Sequence, residues 1–248
     1  MSGHSKWSSI KHKKGAADAK RGKLFTKLIK AITVAARNGG GDIDKNPALR
    51  VAISTARNSN MPNDNIDRAI KRGTGELEGV NYEEVFYEGY GPGGVAVYIQ
   101  CLTDNKNRTA SEIRNLFSKN GGNMAGAGSV SWLFEHKGLI VVEAQKVKEE
   151  KLMELAVDTG AEDFSRSGDV FEIIVAPQDF EKMKQTLIDS NIPIKSSDLT
   201  YLPKSQVNVT SDAAHNVLKL VDMLEDHDDT QNVYANFEIP DDIIDNIE

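Results

Sequence analysis

The sequence has one cysteine in 248 residues, Cys101, and that scarcity excludes a framework of intramolecular disulfides. Structural disulfides belong mainly to secreted proteins, so a single thiol fits a reducing compartment. Long hydrophobic runs are also missing, and none approaches the roughly 20 apolar residues that a membrane-spanning helix needs. The basic N-terminus lacks the apolar stretch of a secretory signal, and residue 2 is serine rather than the glycine of a myristoylation site. The sequence therefore predicts a cytoplasmic protein with no membrane partner.

Glutamate is missing from the first 75 residues, and the first one in the chain is Glu76. Residues 1–75 carry 16 Lys and Arg against 5 Asp, a net charge of +11, whereas residues 76–248 have a net charge of −18. The formal charge of the whole chain, −7, hides this division. Because charge asymmetry between segments is a guide to partners, the N-terminal part is predicted to bind a polyanion. One alternative stays open, namely that this part docks on the acidic body of its own chain.

The basic residues are densest in residues 1–37, which hold ten Lys and Arg against one acid, Asp18. Such a segment can follow a phosphate backbone and release its counterions, without reading the base sequence. Trp7 and His12 stand among the lysines and can stack on exposed bases, although Trp7 equally fits a role in packing the arm on the helical core. The predicted nucleic-acid-binding residues are Lys6, Trp7, Lys11, His12, Lys13, Lys14, Lys20, Arg21, Lys23, Lys27, Lys30 and Arg37.

The stretch "TDNKNRTASEIR", residues 103–114, places two cations beside a predicted helix N-terminus. Thr109 or Asn107 suits the cap of a strand-to-helix turn, which is a purely structural role. Backbone amides at such an N-terminus, together with neighbouring cations, can also hold a phosphate. Asn105, Lys106 and Arg108 are therefore predicted as a second phosphate contact.

Patterns typical of catalysis or metal binding are scarce. Cys101 lies in the apolar run "VYIQCLT", where a cysteine is usually a small buried hydrophobe. His4 and His12 lack the spacing of zinc ligands, and the acidic run "EDHDD", residues 225–229, is predicted to be a solvated turn at a helix end. The glycines of residues 91–94 lack the Lys-Ser/Thr pair of a phosphate-binding loop. The sequence predicts no catalytic residue, no cofactor, no metal and no small-molecule substrate.

Hydrophobic periodicity predicts an α+β fold. Apolar residues at helical spacing indicate three helices before residue 75, and the pattern changes to strands from Tyr82 onwards. Two strands, "SVSWLFE" and "LIVVEA", are expected around residue 135. Residues 138–203 follow the order strand, helix, strand, strand, helix, strand, which is the ferredoxin-like arrangement. We predict a three-helix N-terminal domain followed by two ferredoxin-like α+β domains, the third inserted into the second.

The predicted domain boundaries follow these changes of pattern. A basic helical domain with an N-terminal arm covers residues 1–75, and a discontinuous α+β domain covers residues 80–136 and 206–239. The inserted ferredoxin-like domain covers residues 137–205, and an acidic tail covers residues 240–248. The sequence leaves the oligomeric state open, and a monomer is our working expectation.

Six ordered motifs resemble the YebC/PmpR family, and the resemblance extends to the closing "NVYANFEI". The motifs are "GHSKWSSIKHKK", "KRGKLFTKLIK", "NMPNDNIDRAIKRGTGE", "YEGYGPGGVA", "TDNKNRTASEIR" and "GGNMAGAGSVSWLF". The resemblance implies a cytosolic three-domain protein without enzymatic activity. Family members are assigned as DNA-binding transcriptional regulators, a mitochondrial relative activates translation, and bacterial members are linked to the ribosome. One departure is Ala125, where the family commonly has glycine.

The residues and the resemblance together predict a non-enzymatic regulator of gene expression that binds nucleic acid. The first hypothesis is a DNA-binding transcriptional regulator acting through the basic arm and helix. The alternative is a translation factor associated with the ribosome and its RNA, which assists the synthesis of difficult peptide stretches such as proline-rich ones. A lysine-rich arm with interspersed Trp and His suits irregular RNA at least as well as duplex DNA.

Overall fold

The structure, a computed structural model, describes residues 17–238, with the backbone alone for residues 17–21 and 211–212. These residues form two compact units. One unit is the continuous segment 132–206, and the other combines the chain up to residue 131 with the chain from residue 207 onwards. Among residues 17–238, no helix is long and apolar enough to cross a membrane.

Three helices open the described chain: α1 (Ala17–Gly39), α2 (Pro47–Asn58) and α3 (Asn63–Thr74). Their apolar residues recur every three or four positions, so each helix turns one side towards a common core. The core contains Leu28, Ile32, Ala36, Leu49, Ile53, Ala56, Ile66 and Ala69. The three helices predicted before residue 75 are confirmed.

Two local contacts hold these helices together. Asn46 Oδ1 accepts a hydrogen bond from the Leu49 amide at 3.0 Å, and this N-cap satisfies a free amide of α2. The same side chain donates at 2.8 Å to the carbonyl of Ala35, in the last turn of α1, and to that of Gly40, just beyond the helix. At Gly73 a Cβ atom would lie 2.5 Å from the Thr33 carbonyl oxygen, so only glycine lets α3 approach the backbone of α1 this closely.

The first sheet belongs to the same unit as the three helices. Its strands are β1 (Glu83–Tyr90), β2 (Ala96–Thr103), β3 (Asn123–Ala125) and β9 (Thr230–Ala235), paired antiparallel in the order β3–β1–β2–β9. Helices α4 (Lys106–Lys119) and α7 (Ser211–Glu225) pack on it through apolar side chains such as Phe117 and Leu220. Since β9 follows residue 206, part of this sheet comes from the end of the described chain.

The insert, residues 132–206, contains a second antiparallel sheet. Along the chain it has β4 (Phe134–Glu143), α5 (Glu149–Thr159), β5 (Asp163–Ser167), β6 (Val170–Val175), α6 (Phe180–Asp189) and β7 (Ile194–Pro203). The strand order is β5–β6–β4–β7. Both helices bury apolar residues against this sheet, among them Leu152 and Met183. The element order is the predicted ferredoxin-like one.

The α+β class is confirmed, with one difference in topology. In the first sheet a hairpin joins β1 directly to β2, because Gly93 and Gly94 adopt φ values of +70° and +76° that make a tight turn. Its elements therefore follow the order ββαβαβ, and the ferredoxin-like order occurs in the insert.

Some strands also differ from the sequence prediction. "SVSWLFE" and "LIVVEA" do not form two strands, because residues 131–133 form a 3₁₀ turn and β4 runs unbroken from Phe134. The short strands β3 and β8 (Val207–Asn208) were not predicted. The last predicted strand, "TQNVYANFEI", is divided into β9 and β10 (Phe237–Glu238). The division into three domains stays a prediction, and the tail at residues 240–248 lies outside the described residues.

Candidate nucleic-acid interface

The predicted nucleic-acid-binding residues fall into three groups. The structure does not describe Lys6, Trp7, Lys11, His12, Lys13 and Lys14. It places only the backbone of Lys20 and Arg21, in α1. Side chains are described for Lys23, Lys27, Lys30 and Arg37, and their contacts show what the basic side of α1 faces.

Three lysines of α1 contact the acidic turn, defined as residues 225–229, which begins at the last residue of α7. Each donates to one backbone carbonyl there, and the pairs are Lys23–Asp226 at 3.1 Å, Lys27–Glu225, and Lys30–Asp228 at 3.0 Å. Carbonyls at the C-terminal end of a helix carry partial negative charge and lack partners within the helix, so cations are favourable there. The basic side of α1 thus contacts the acidic part of its own chain, the alternative that the sequence left open.

Asp229 is the buried centre of this contact, with 3% of its surface exposed. Its Oδ1 accepts from Lys30 Nζ at 2.6 Å, and its Oδ2 accepts from Arg108 Nη2 and Thr109 Oγ1, both at 2.7 Å. Burial raises the pKa of the Asp229 carboxyl, but the bonds from Lys30, Thr109 and Arg108 outweigh it and hold the pKa well below its usual range. Asp229 therefore joins α1 to the first turn of α4, and the turn predicted as solvated is buried at this residue.

Arg37 holds the segment that leads from α3 to β1. Its Nη2 donates to the Val80 carbonyl at 3.1 Å and its Nη1 to the Tyr82 carbonyl at 3.2 Å, with a further bond to the Asn81 side chain. Lys30 Nζ lies 5.4 Å from the centre of the Tyr82 ring, a cation–π contact. Lys30 and Arg37 thus have partners inside the chain, and their predicted role towards phosphate stays a prediction.

The second predicted phosphate contact lies at the N-terminus of α4, where its groups already have partners. Asn105 Oδ1 accepts from the Arg108 amide at 3.1 Å and so caps the helix. Lys106 Nζ is 2.5 Å from Glu83 Oε2, and Arg108 Nη2 is 2.9 Å from Asp104 Oδ1. Carboxylates of the chain therefore neutralise both cations. That Asn105, Lys106 and Arg108 bind phosphate stays a prediction.

Four exposed cations of the helical part were not among the predicted residues: Arg57, Arg68, Lys71 and Arg72. Within residues 17–238 their side chains make no ion pair and no hydrogen bond. Three of them are three and four residues apart on α3, so they lie on one side of that helix. The spacing of these cations is visible in the sequence, but the aspartates on the same helix made its charge pattern look mixed.

Glu112, His227 and Asp229 bring three potential metal-ligand atoms within 4.8 Å of one another. His227 Nε2 lies 2.8 Å from Glu112 Oε2, and its Nδ1 accepts from the Asp229 amide at 3.2 Å. Both oxygens of Asp229 are already bound by cationic side chains, as described above. A metal ion there would meet two positive charges, so the arrangement fits an ion-pair network better than a metal site.

Cys101 is buried in β2 with none of its surface exposed. Burial raises the pKa of the Cys101 thiol to about 12. Because the thiolate is the nucleophilic form of cysteine, this residue is unsuited to nucleophilic catalysis at neutral pH.

A buried carboxylate holds the glycine-rich segment around residue 128. Glu88 of β1 is 5% exposed and accepts hydrogen bonds from the amides of Gly128, Val130 and Ser131 at 2.8, 2.6 and 2.9 Å. Three amides converging on one carboxylate form a strong, charge-assisted arrangement. Ala125 lies in the extended strand β3 opposite Glu88, so alanine there causes no backbone strain.

Replacing Glu88 with glutamine is expected to lower the free energy of unfolding by about 1–3 kcal/mol, because the amide loses the charge and turns an N–H donor towards backbone donors. Urea denaturation measures the effect. Glu84→Gln is the matched control, because Glu84 is exposed on the same strand and bonds to the Gln100 side chain. An equal loss in both variants would contradict the role assigned to Glu88.

Comparison with known proteins matches almost the whole chain. The family model described as "TACO1/YebC protein N-terminal domain" matches residues 5–76, and "TACO1/YebC second and third domain" matches residues 82–237. A relative from Desulforapulum autotrophicum is 55% identical over 245 residues, 99% of each chain, and one from Syntrophobacter fumaroxidans is 56% identical over the full length of both. Both carry the name "Probable transcriptional regulatory protein".

A solved structure has the same fold. The crystal structure of the conserved hypothetical protein Aq1575 from Aquifex aeolicus is 50% identical in sequence and superimposes with a TM-score of 0.81. The match covers 92% of this chain and 95% of that one.

Proposed function

The chain belongs to the TACO1/YebC family, and on that premise we propose that it is a nucleic-acid-binding regulator of gene expression. We infer further that it is not an enzyme and that it works in the cytoplasm as a DNA-binding transcriptional regulator. The names of its relatives support the regulatory role. The observation that carries the binding role is the charge of residues 1–75, a net +11 in a chain whose remainder is strongly acidic.

The contacts of α1 assign the proposed phosphate binding mainly to the first part of the basic segment. Lys30 and Arg37 are held by partners inside the chain, whereas residues 1–21, the basic arm together with the start of α1, contribute six cations and one acid. The residues of this segment that would contact phosphates are Lys6, Lys11, Lys13 and Lys14 of the arm and Lys20 and Arg21 of α1. Lysine and arginine bind phosphates as charges, so they would position the protein on DNA without reading its sequence. Base recognition would then be weak or depend on DNA shape.

The second candidate is a translation factor bound to ribosomal RNA. Trp7 and His12 favour it, because an aromatic ring among lysines can stack on the unpaired bases that irregular RNA exposes. The exposed residues of α3 also favour it, since Arg68 stands beside Asp64 and Asp67 rather than in a set of base-reading side chains. The structured regions of ribosomal RNA would offer both phosphates and unpaired bases to one arm.

Changing Lys11, Lys13 and Lys14 together to glutamate is expected to weaken nucleic-acid binding by at least about tenfold, because three phosphate contacts become repulsions. Mobility shift with a random duplex, a promoter duplex and a structured RNA at fixed salt measures this. Sedimentation with ribosomes runs in parallel. A matched control changes Lys148, Lys151 and Lys182, which are exposed in the insert, to glutamate.

The ligands separate the two candidates. Preference for one promoter over random duplex favours transcriptional control, and loss of ribosome co-sedimentation in the arm variant alone favours the translation role. If the arm variant binds every probe as tightly as the wild type does, the proposed function is wrong.

A further inference from the structure

The paired side chains between α1 and the acidic turn differ in solvent exposure from one end of the contact to the other. Lys23, Lys27 and Lys30 are separated by four and three residues, so they line one side of α1. At the inner end, Lys30 and Asp229 are buried, with 8% and 4% of their side chains exposed. At the outer end, Lys23 and Asp226 are 46% and 54% exposed, and Lys23 Nζ lies 3.8 Å from Asp226 Oδ2.

This difference in exposure makes the Lys30–Asp229 contact permanent and the Lys23–Asp226 contact replaceable. A buried ion pair is costly to break, because each partner would be left without compensation in a poorly solvated place. An exposed pair at 3.8 Å contributes little to stability and exchanges readily with other ions. Lys30 therefore stays bound when conditions change, whereas Lys23 can accept a different anion. Lys27 lies between the two and is half-buried.

The acidic turn offers Lys23 and Lys27 the same chemistry that a nucleic acid offers. Its carbonyl oxygens lie at the C-terminal end of α7, and the carboxylates of Asp226 and Asp228 are exposed beside them. Oxygen atoms with negative charge are also what a phosphate backbone presents to a lysine. A lysine cannot bond fully to both at once.

We propose that the acidic turn 225–229 is a built-in competitor for nucleic acid: it occupies Lys23 and Lys27 of α1, and a polyanion bound by the arm must displace it from them. This inference rests on the proposed function. The arm makes the first contact, and the outer two lysines join when they leave the turn. The affinity of the protein is then reduced by the fraction of molecules in which the turn holds these lysines.

Neutralising the turn tests the proposal. The double variant Asp226→Asn and Asp228→Asn removes two exposed charges and leaves the buried Asp229 in place. If the turn holds the lysines in most molecules, the variant binds about three- to tenfold more tightly than the wild type. Fluorescence anisotropy with a 20-base-pair duplex (about two helical turns) and with an RNA stem-loop measures this at one fixed salt concentration.

A matched control separates competition from overall charge. Glu150→Gln with Glu154→Gln changes the net charge equally, on an exposed side of α5. Tighter binding in the turn variant alone supports the proposal, and adding Lys27→Gln to that variant should remove part of the gain. Equal gains in both double variants, or no gain in either, overturn the competition. In the second case a wild-type protein that still binds leaves the proposed function intact, whereas absence of binding in all variants rejects both.

Discussion

Raising the salt concentration from about 50 to about 200 mM is expected to weaken binding of the protein to duplex DNA by about 10³–10⁴-fold. Each phosphate contacted by a cation changes the slope of log affinity against log salt by about −0.9. Residues 1–21 supply six cations, and Lys23 and Lys27 bring the number to eight when the acidic turn releases them. The expected slope therefore lies between about −5 and −7. Anisotropy titrations at four salt concentrations measure it.

The slope also reports which residues take part. A value near −9 would mean that all ten cations of residues 1–37 contact phosphates, and that Lys30 leaves the buried Asp229. Changing Lys11, Lys13 and Lys14 to glutamine should reduce the slope by about 3, since three contacts are lost. Affinity that does not depend on salt would contradict a phosphate-binding role and point to a protein partner instead.

Replacing Asp229 with alanine is expected to lower the free energy of unfolding by about 3–5 kcal/mol. The substitution leaves the buried ammonium of Lys30 and the hydroxyl of Thr109 without their carboxylate partner, and Arg108 loses a 2.7 Å bond. The loss is a large part of the total stability of a typical domain, about 5–15 kcal/mol. Chemical denaturation of the full chain, followed by circular dichroism, measures it.

The control for this prediction is Asp226→Ala. Asp226 is exposed and lies 3.8 Å from Lys23, so its loss should cost less than about 1 kcal/mol. If Asp229→Ala is no more costly than this control, the buried network does not stabilise the fold in the way its geometry indicates.

The stabilisation by Asp229 should also depend on pH. Its folded-state pKa is depressed, so its contribution is present in full above the ordinary carboxyl pKa of about 3.9 and is lost as the pH falls towards the folded-state value. The difference in stability between wild type and Asp229→Ala should be constant near neutral pH and shrink below about pH 4. A difference that grows on acidification would contradict this assignment.

Much of the fold was predictable because the patterns that carry it are local. The helices α1 to α3 and each element of the insert can be recognised from the apolar spacing within segments of about ten residues. The three-residue strand β3 escaped prediction, since three residues are too few to establish an alternation. The cap of α4 is Asn105 rather than Thr109 or Asn107, because β2 ends at Thr103 and leaves two residues before the helix.

The candidate interface was less predictable because its contacts are between distant parts of the chain. Composition correctly shows a basic segment and an acidic one, but it does not show which acid meets which lysine. Lys30 and Asp229 are 199 residues apart, and nothing local to either marks them as partners. The four cations on α2 and α3 make no such contacts among the described residues, and this depends on the tertiary structure rather than on the local sequence.

The late position of the acidic turn in the chain has a consequence for biosynthesis. Helix α1 is made first, and a ribosome must add nearly two hundred further residues before Asp229 exists to receive Lys30. The strand β9, which completes the first sheet, follows immediately after that residue. Until the acidic turn has been made, Lys23, Lys27 and Lys30 of the nascent chain therefore lack their partners in it. A product truncated inside the insert would lack these partners permanently.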